Sequence, residues 1–205
     1  MQNAHKAALD ALSIARAKLA KSLPYYTTAS EALRPVAHEG LGTLAVTADG
    51  VCLYDPAVVV GDRFGPHLPG VWLHELLHPY LRHHKRGEAV RRRVGVAFDA
   101  YLWNLSADFE VNRIVRATGL TLPDGVAYAE AHGLDPEITA EAAYEALTQQ
   151  QGDDAEGEGQ GDQGDQGDQA PGTRRQGPGR PGTRHKKPRP MDHGPGCAGR
   201  NGRAA

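Results

Sequence analysis

The chain has 205 residues, of which 40% are hydrophobic and 23% charged, and its formal net charge at pH 7 is −2. This composition is typical of a soluble chain with one modest domain. No apolar run approaches the roughly 20 residues of a membrane-spanning helix, and the charged N-terminal segment lacks the apolar core of a signal peptide. Two cysteines exclude a disulfide framework and a zinc site made of four thiolates. We therefore expect a cytoplasmic protein that does not bind a membrane.

The N-terminal half is predicted to hold two helices followed by a β-hairpin. Residues 3–22 carry Ala, Leu and Ile at helical spacing and end before a proline, and a shorter helix is expected at residues 28–33. The β-prone runs 41–47 and 51–54 flank an Asp-Gly pair, a strong turn signal, so they predict two paired strands. The Gly- and Pro-rich stretch 61–70 predicts a loop.

The C-terminal half of the body is predicted to be helical. Residues 71–85 and 88–117 show helical periodicity, and residues 139–147 predict a last helix that Thr139 can cap. The predicted fold class is therefore α+β: a mostly helical domain over residues 1–150 with a small β-hairpin.

The composition changes near Gln149. Residues 152–168 hold seven acidic residues and no basic one, whereas residues 173–203 hold nine basic residues and one acidic residue. Segments so poor in apolar side chains cannot bury enough surface to offset the entropy lost on ordering. We therefore predict that residues 151–205 form a disordered tail, whose charged stretches could contact a partner of opposite charge.

The strongest chemical signal is the HExxH motif formed by His74, Glu75 and His78. Histidines four residues apart lie on one face of a helix, within about 6 Å, so both imidazoles can bind one ion. Glu75 lies about 100° away around the helix, where it can reach a water on that ion without binding the ion itself. Zinc lowers the pKa of such a water toward about 7, and Glu75 can take the proton as the water attacks a carbonyl. The motif thus predicts a zinc-dependent hydrolase with Glu75 as its catalytic base.

A helix with two ordinary histidines is the alternative interpretation of this motif. Pro79 also bears on it, because proline removes a helical hydrogen bond and disfavours the helical conformation of His78. The surrounding apolar residues favour the metal site, since buried imidazoles beside a buried carboxylate need partners that a metal supplies.

A catalytic zinc requires a third protein ligand, and the sequence favours Asp108. Asn104, Asp108 and Asn112 recur every four residues and form a polar stripe on an otherwise apolar helix. Such a stripe usually faces solvent. If it faces the histidine helix instead, the carboxylate of Asp108 completes the zinc ligands and the two asparagines fix its orientation.

Glu110 and His84 are the competing candidates for the third ligand. Glu110 projects from another side of the helix that carries the stripe. His84 follows His74 at the interval found in metzincins, but Leu81 stands where that motif needs a glycine to turn the chain. On a straight helix His84 lies about 15 Å further along than His74, and His83 points to nearly the opposite side.

The segments HELLHPYLRHHKR and WNLSADFEVN together resemble the metallopeptidase domain of bacterial and phage proteins that couple it to a VWA-like domain. The hairpin ending LYDP, a later LP pair and TAEAAY match in the same order, so the similarity covers about residues 30–147. The resemblance implies a zincin-like fold, His74 and His78 as metal ligands, Glu75 as the base and Asp108 as the third ligand. It also implies a peptide or protein substrate and, as a partner, a VWA-like protein or a MoxR-type ATPase.

Two functions are therefore open at the level of sequence. The first is a zinc-dependent peptidase, which Glu75 favours because a structural zinc needs no general base. The second is a non-catalytic, metal-containing adaptor that binds a partner ATPase or VWA-like protein. A basic cluster at residues 85–93 is interpreted as a solvated face that could instead bind substrate carboxylates or the acidic tail. We expect no nucleic-acid binding, since the basic tail lacks interleaved aromatic residues.

Overall fold

The computed structural model describes residues 2–61 and 63–157, and within them the fold is α+β and mostly helical, as the sequence predicts. The helices are α1 (Gln2–Ser22), α2 (Thr27–Ala32), α3 (Pro56–Val60), α4 (Leu68–Tyr80), α5 (His83–Val94), α6 (Ala100–Ala117) and α7 (Ala140–Gly157). The strands are β1 (Arg34–Ala37), β2 (Leu44–Val46) and β3 (Val51–Tyr54). None of the helices in the described part combines the length and hydrophobicity that crossing a bilayer requires.

The three strands form one sheet in the order β1-β3-β2. The predicted hairpin is present, because β2 pairs antiparallel with β3 across the Asp-Gly turn. The prediction was incomplete, because β1 adds a third strand parallel to β3. β1 is four residues long, contains Pro35 and buries none of its side chains fully. Such a short edge strand carries little of the apolar alternation that identifies strands in a sequence.

The predicted continuous helix 71–85 is wrong, because the chain breaks between α4 and α5. Pro79 has no N–H to donate, and α4 ends one residue later at Tyr80. Arg82 then adopts a left-handed conformation with φ 59°, and α5 starts at His83. The break gives α5 its own direction, so its residues do not continue the faces of α4.

The predicted helical run 88–117 is also divided. α5 ends at Val94, and Gly95 follows with a φ of 62°, which glycine adopts without strain. α6 begins after Asp99, whose carboxylate accepts hydrogen bonds from the backbone N–H groups of Tyr101 and Leu102. Gly95 therefore marks a full boundary between two helices.

Two clusters of buried apolar side chains form the core. The first joins α1, the sheet and α4 and includes Trp72, and the second joins α5, α6 and α7 and includes Trp103. α6 contributes Val111 to the first cluster and Phe109 to the second, so it lies where the two clusters meet. The facing sides of α4 and α6 are consequently shielded from water by both clusters.

Gly70 lets the segment after α6 lie directly against α4. A Cβ at this position would fall 2.2 Å from the carbonyl oxygen of Thr121, a separation that no real side chain tolerates. The absence of a side chain therefore lets the backbone of Thr121 lie against the start of the histidine helix.

The last described helix is longer than predicted. Thr139 caps it, as expected, by accepting the N–H of Ala142 at 3.4 Å, but α7 runs to Gly157 instead of ending near residue 147. The first residues of the predicted disordered tail are thus helical, and the predicted domain boundary at residue 150 falls within α7. The remainder of that predicted tail, residues 158–205, lies outside the described residues.

Candidate metal centre

The HExxH residues lie on α4 and face the polar stripe of α6. His74, Asp108 and Asn112 are fully buried, and Glu75 and His78 are 1% and 8% exposed. Asp108 and Asn112 share one face of α6 because they are four residues apart. The stripe therefore faces the histidine helix at these two positions, and the solvent-facing alternative does not apply to them.

Three ligand atoms converge between the two helices. The Nε2 atoms of His74 and His78 are 3.2 Å apart, and Oδ1 of Asp108 lies 3.6 Å from the first and 3.4 Å from the second. A tetrahedral zinc with bonds of about 2.0–2.1 Å holds its ligand atoms about 3.3 Å apart. The triangle thus has the dimensions that one ion requires. His74, His78 and Asp108 are the one cluster of His, Cys, Asp or Glu side chains among the described residues that could hold a metal ion.

Asn112 determines which nitrogen of His74 faces this triangle. Its amide Nδ2 donates to the carbonyl oxygen of Ala127 at 2.8 Å, so its Oδ1 faces Nδ1 of His74, also at 2.8 Å. An amide oxygen only accepts hydrogen bonds, so the neutral His74 ring carries its proton on Nδ1. The lone pair of Nε2 is then directed toward His78 and Asp108. The sequence predicted that Asn112 would orient Asp108, whereas the structure places it on His74.

His83 plays the same part for His78 and was missed by the sequence analysis. Its Nε2 faces Oε2 of Glu110 at 3.5 Å, and its Nδ1 lies 3.1 Å from Nδ1 of His78. A His83 ring that carries its proton on Nε2, toward this carboxylate, can accept the Nδ1 proton of His78. The Nε2 lone pair of His78 then also points into the triangle. The straight-helix expectation for His83 was wrong because the left-handed Arg82 redirects the chain.

Three acceptors therefore converge on one small buried volume. Two imidazole lone pairs and a carboxylate oxygen repel each other at such distances unless a proton or a metal cation lies between them. The donor set of two imidazoles and one carboxylate is also one that divalent zinc prefers. Both the size of the triangle and its chemistry thus fit a metal ion.

Glu110, a competing candidate, belongs to a different polar cluster. Arg86 donates to its Oε2 at 2.9 Å and also pairs with Glu141, and the N–H of Ala140 donates to the same oxygen at 3.0 Å. Burial alone would raise the pKa of Glu110, but hydrogen bonds from His83, Arg86 and Ala140 outweigh it and lower the pKa to about 2. Glu110 is a carboxylate held by protein donors and directed away from the triangle.

His84, the other candidate, also lies outside the metal-binding group. It lines a cavity of about 630 Å³ and forms a hydrogen bond with the backbone of Val46. Burial and the neighbouring His83 together lower the pKa of His84, against the smaller opposing effect of Val46. The structure thus gives no support for His84 as the third ligand.

The same cavity reaches the metal centre through His78. Its walls include His83, the aromatic side chain of Trp103 and the amide of Asn104. Asn104, the first residue of the stripe, therefore lines the cavity and does not continue the contacts of Asn112. The cavity therefore borders His78, whose Nε2 is one corner of the triangle.

Comparison with known proteins identifies one family. Residues 8–199 match the family model described as "putative metallopeptidase domain", and the match includes both α4 and α6. No curated protein and no solved structure matches the chain. The match covers more than half of the 205 residues, including every residue of the triangle.

Proposed function

The chain belongs to the family described as "putative metallopeptidase domain", and from this membership we propose that it is a zinc-dependent peptidase. Glu75 is its general base, and His74, His78 and Asp108 are its metal ligands. The observation that carries the proposal is the triangle of ligand atoms, whose edges of 3.2, 3.4 and 3.6 Å suit a single ion.

The ligand set supports zinc in a catalytic rather than a structural role. Catalytic zinc sites use three protein ligands and leave a fourth position for water or substrate, whereas structural sites use four protein ligands. Among the described residues the candidate metal-binding group holds three members, and the cavity reaches one of them, His78. When bound, zinc supplies a Lewis acid that lowers the pKa of water and polarises a carbonyl.

Glu75 supplies the proton transfers. It follows His74 directly on α4 and is 1% exposed, so it is buried next to a proposed metal ligand. Glu75 takes a proton from the attacking water and delivers it to the amine that leaves. A buried general base is not needed for a structural metal, which supports the peptidase over the non-catalytic adaptor. A VWA-like or MoxR-type ATPase partner and a cytoplasmic location stay predictions from the sequence.

Asn112 and His83 keep the two imidazoles ready to bind the ion. Each accepts the Nδ1 proton of one metal-binding histidine, which fixes the tautomer and the ring orientation. These contacts come from α6 and α5, so the ligands on α4 are oriented by neighbouring helices. The histidines therefore need little rearrangement when zinc binds.

Metal analysis combined with Glu75→Gln tests the proposal. We expect about one zinc per chain in the wild-type protein and in Glu75→Gln, since the base is not a ligand. Hydrolysis of a mixed peptide library, followed by mass spectrometry, should occur only with the wild-type protein and stop when a chelator removes the metal. Glu31→Gln is the matched control, because Glu31 is an exposed residue paired with Arg16.

Two results would contradict the proposal. Hydrolysis that survives Glu75→Gln would exclude Glu75 as the base. Purified protein that takes up no zinc, even when zinc is supplied in excess, would exclude the metal centre itself.

A further inference from the structure

The cations of α5 fall into two groups with different partners. Arg86 and Arg93 are seven residues apart and lie on one face of the helix. Arg86 pairs with Glu110 and Glu141, and Nη2 of Arg93 lies 2.5 Å from Oε1 of Glu145. Acidic residues of α6 and α7 therefore compensate the positive charge on this face.

The other group lines the cavity that reaches His78. Its wall includes Lys85, Arg91 and Arg92. Among the described residues that line it, Glu88 is the single acidic one. Glu88 pairs with Arg92 at 3.3 Å. In the described part of the chain, no salt bridge involves Lys85 or Arg91. The guanidinium of Arg91 lies over the ring of Phe98, 5.2 Å from its centroid. This cation–π contact helps to hold the Arg91 side chain against the cavity wall.

The remaining lining suits a peptide. The volume of about 630 Å³ is within the range of ordinary ligand sites, roughly 300–1,000 Å³. Trp103 offers an aromatic surface, and Asn104 can both donate and accept hydrogen bonds. A chain that occupies the cavity lies between two cations on α5 that form no salt bridge with the described residues and His78, a proposed metal ligand.

We propose that this cavity receives an acidic polypeptide segment whose carboxylates bind Lys85 and Arg91. The inference rests on the proposed function, because it assigns a substrate class to the same site. Two sources can supply this chemistry. One is an acidic peptide substrate, and the other is the chain's own residues 152–168, with seven acidic residues and no basic one.

Peptide binding measured by fluorescence anisotropy tests the charge preference. The full chain carrying Glu75→Gln, loaded with zinc, is titrated against a labelled peptide with four glutamates and against the same peptide with four glutamines. We expect the acidic peptide to bind about tenfold tighter, since two exposed ion pairs contribute together about that factor. Lys85→Gln combined with Arg91→Gln should abolish the preference.

Arg93→Gln is the matched control, because it removes a cation from the same helix but from the compensated face. It should keep the preference for the acidic peptide. Equal binding of the two peptides, or an equal loss in Arg93→Gln, would overturn the proposal. The single variants Lys85→Gln and Arg91→Gln, each expected to lose part of the preference, replace the double variant if that variant does not fold.

A full-length variant with the acidic residues of 152–168 changed to amides distinguishes the two sources. If the tail occupies the cavity, the acidic peptide should bind this variant several-fold tighter than it binds the parent chain. Unchanged binding, with the preference still dependent on Lys85 and Arg91, identifies the substrate as the source. Either result supports an acidic segment in the cavity.

Hydrolysis assays separate this inference from the proposed function. These assays use a chain that retains Glu75. In this background, Lys85→Gln combined with Arg91→Gln should raise KM for acidic peptides and leave kcat nearly unchanged. Cleavage without any preference for acidic peptides would overturn the inference and leave the peptidase assignment intact. Charge-dependent binding without cleavage of any peptide would support the cavity assignment and overturn the peptidase.

Discussion

Asp108 and Glu110 are two carboxylates on one helix that meet opposite surroundings. Two residues along a helix correspond to about 200°, so their side chains leave α6 on nearly opposite sides. Asp108 faces the Nε2 atoms of His74 and His78. Glu110 faces Arg86, which also binds Glu141.

The difference shows what each carboxylate needs. The charge of Glu110 is compensated by a protein cation, which makes its cluster self-sufficient and structural. Asp108 faces two rings that present lone pairs, so the triangle gains stability when a cation is added from outside. Residue type alone does not separate the two roles, because both are acidic residues on a largely buried helix.

The largest effect expected from this comparison is on metal binding. Asp108→Asn alters a proposed metal ligand itself. It should therefore weaken zinc binding by more than the roughly 10–100-fold that is typical when a residue hydrogen-bonded to a ligand is replaced. Glu110→Gln, which keeps an oxygen that can accept from His83, should change the affinity by less than about tenfold. Competition with a chromophoric chelator measures both affinities. Equal losses would show that the two carboxylates do not differ as the structure indicates.

The contact between His83 and His78 predicts an intermediate effect. His83→Phe keeps a ring of similar shape but no acceptor, so zinc binding should weaken by about 10–100-fold. His83→Asn, which can again accept the Nδ1 proton of His78, should recover part of the loss. The control is His84→Phe, which alters the neighbouring histidine without removing a contact to His78. A comparable loss in this control would exclude a specific role of His83.

The ion-paired cluster predicts an effect on folding that is independent of the metal. Arg86→Gln leaves Glu110 partly buried without its cation and should lower the free energy of unfolding by about 2 kcal/mol. Arg93→Gln breaks a more exposed pair with Glu145 and should lower it by about 0.5 kcal/mol or less. Urea denaturation of the zinc-free proteins measures the difference. A larger loss in Arg93→Gln would contradict the contrast between these pairs.

The smallest expected effect depends on pH. The hydrogen bond from Arg86 lowers the pKa of Glu141 below its usual value of 4.5. A carboxyl group with a lowered pKa in the folded state stabilises the fold above its unfolded pKa, and this contribution is lost as the pH falls through the folded value. Glu141→Gln should therefore reduce stability slightly at pH 7, and the difference from wild type should shrink as the pH falls below about 4.5. A difference that persists unchanged at pH 3 would contradict this origin.

The sequence alone could predict which side chains lie together only where the residues are four positions apart on one helix. The interval between His74 and His78, and that between Asp108 and Asn112, each fix a shared helical face without knowledge of the fold. His83 could not be placed in this way, because its position depends on the chain reversal at Arg82. Pro79 was the available signal, since a helix that stops there cannot continue its faces into α5.

Other features depended on contacts distant in sequence. Arg86 meets Glu110 and Glu141 from separate helices, so no local pattern identifies the cluster. β1 forms because its backbone pairs with β3, although its own residues carry a weak strand signal. The apolar periodicity identified most helices but not the boundary at Gly95, where the chain turns through a glycine with a positive φ.

Gly70 has a consequence for the imidazole of His74, one turn further along α4. Its missing side chain lets the chain pass Thr121 closely and then reach Ala127, whose carbonyl oxygen holds the amide of Asn112. That amide in turn sets the proton position on His74. Adding a methyl group at residue 70 would thus disturb this imidazole through the neighbouring backbone and the Asn112 amide, so the smallness of one residue helps to hold the ring in its orientation.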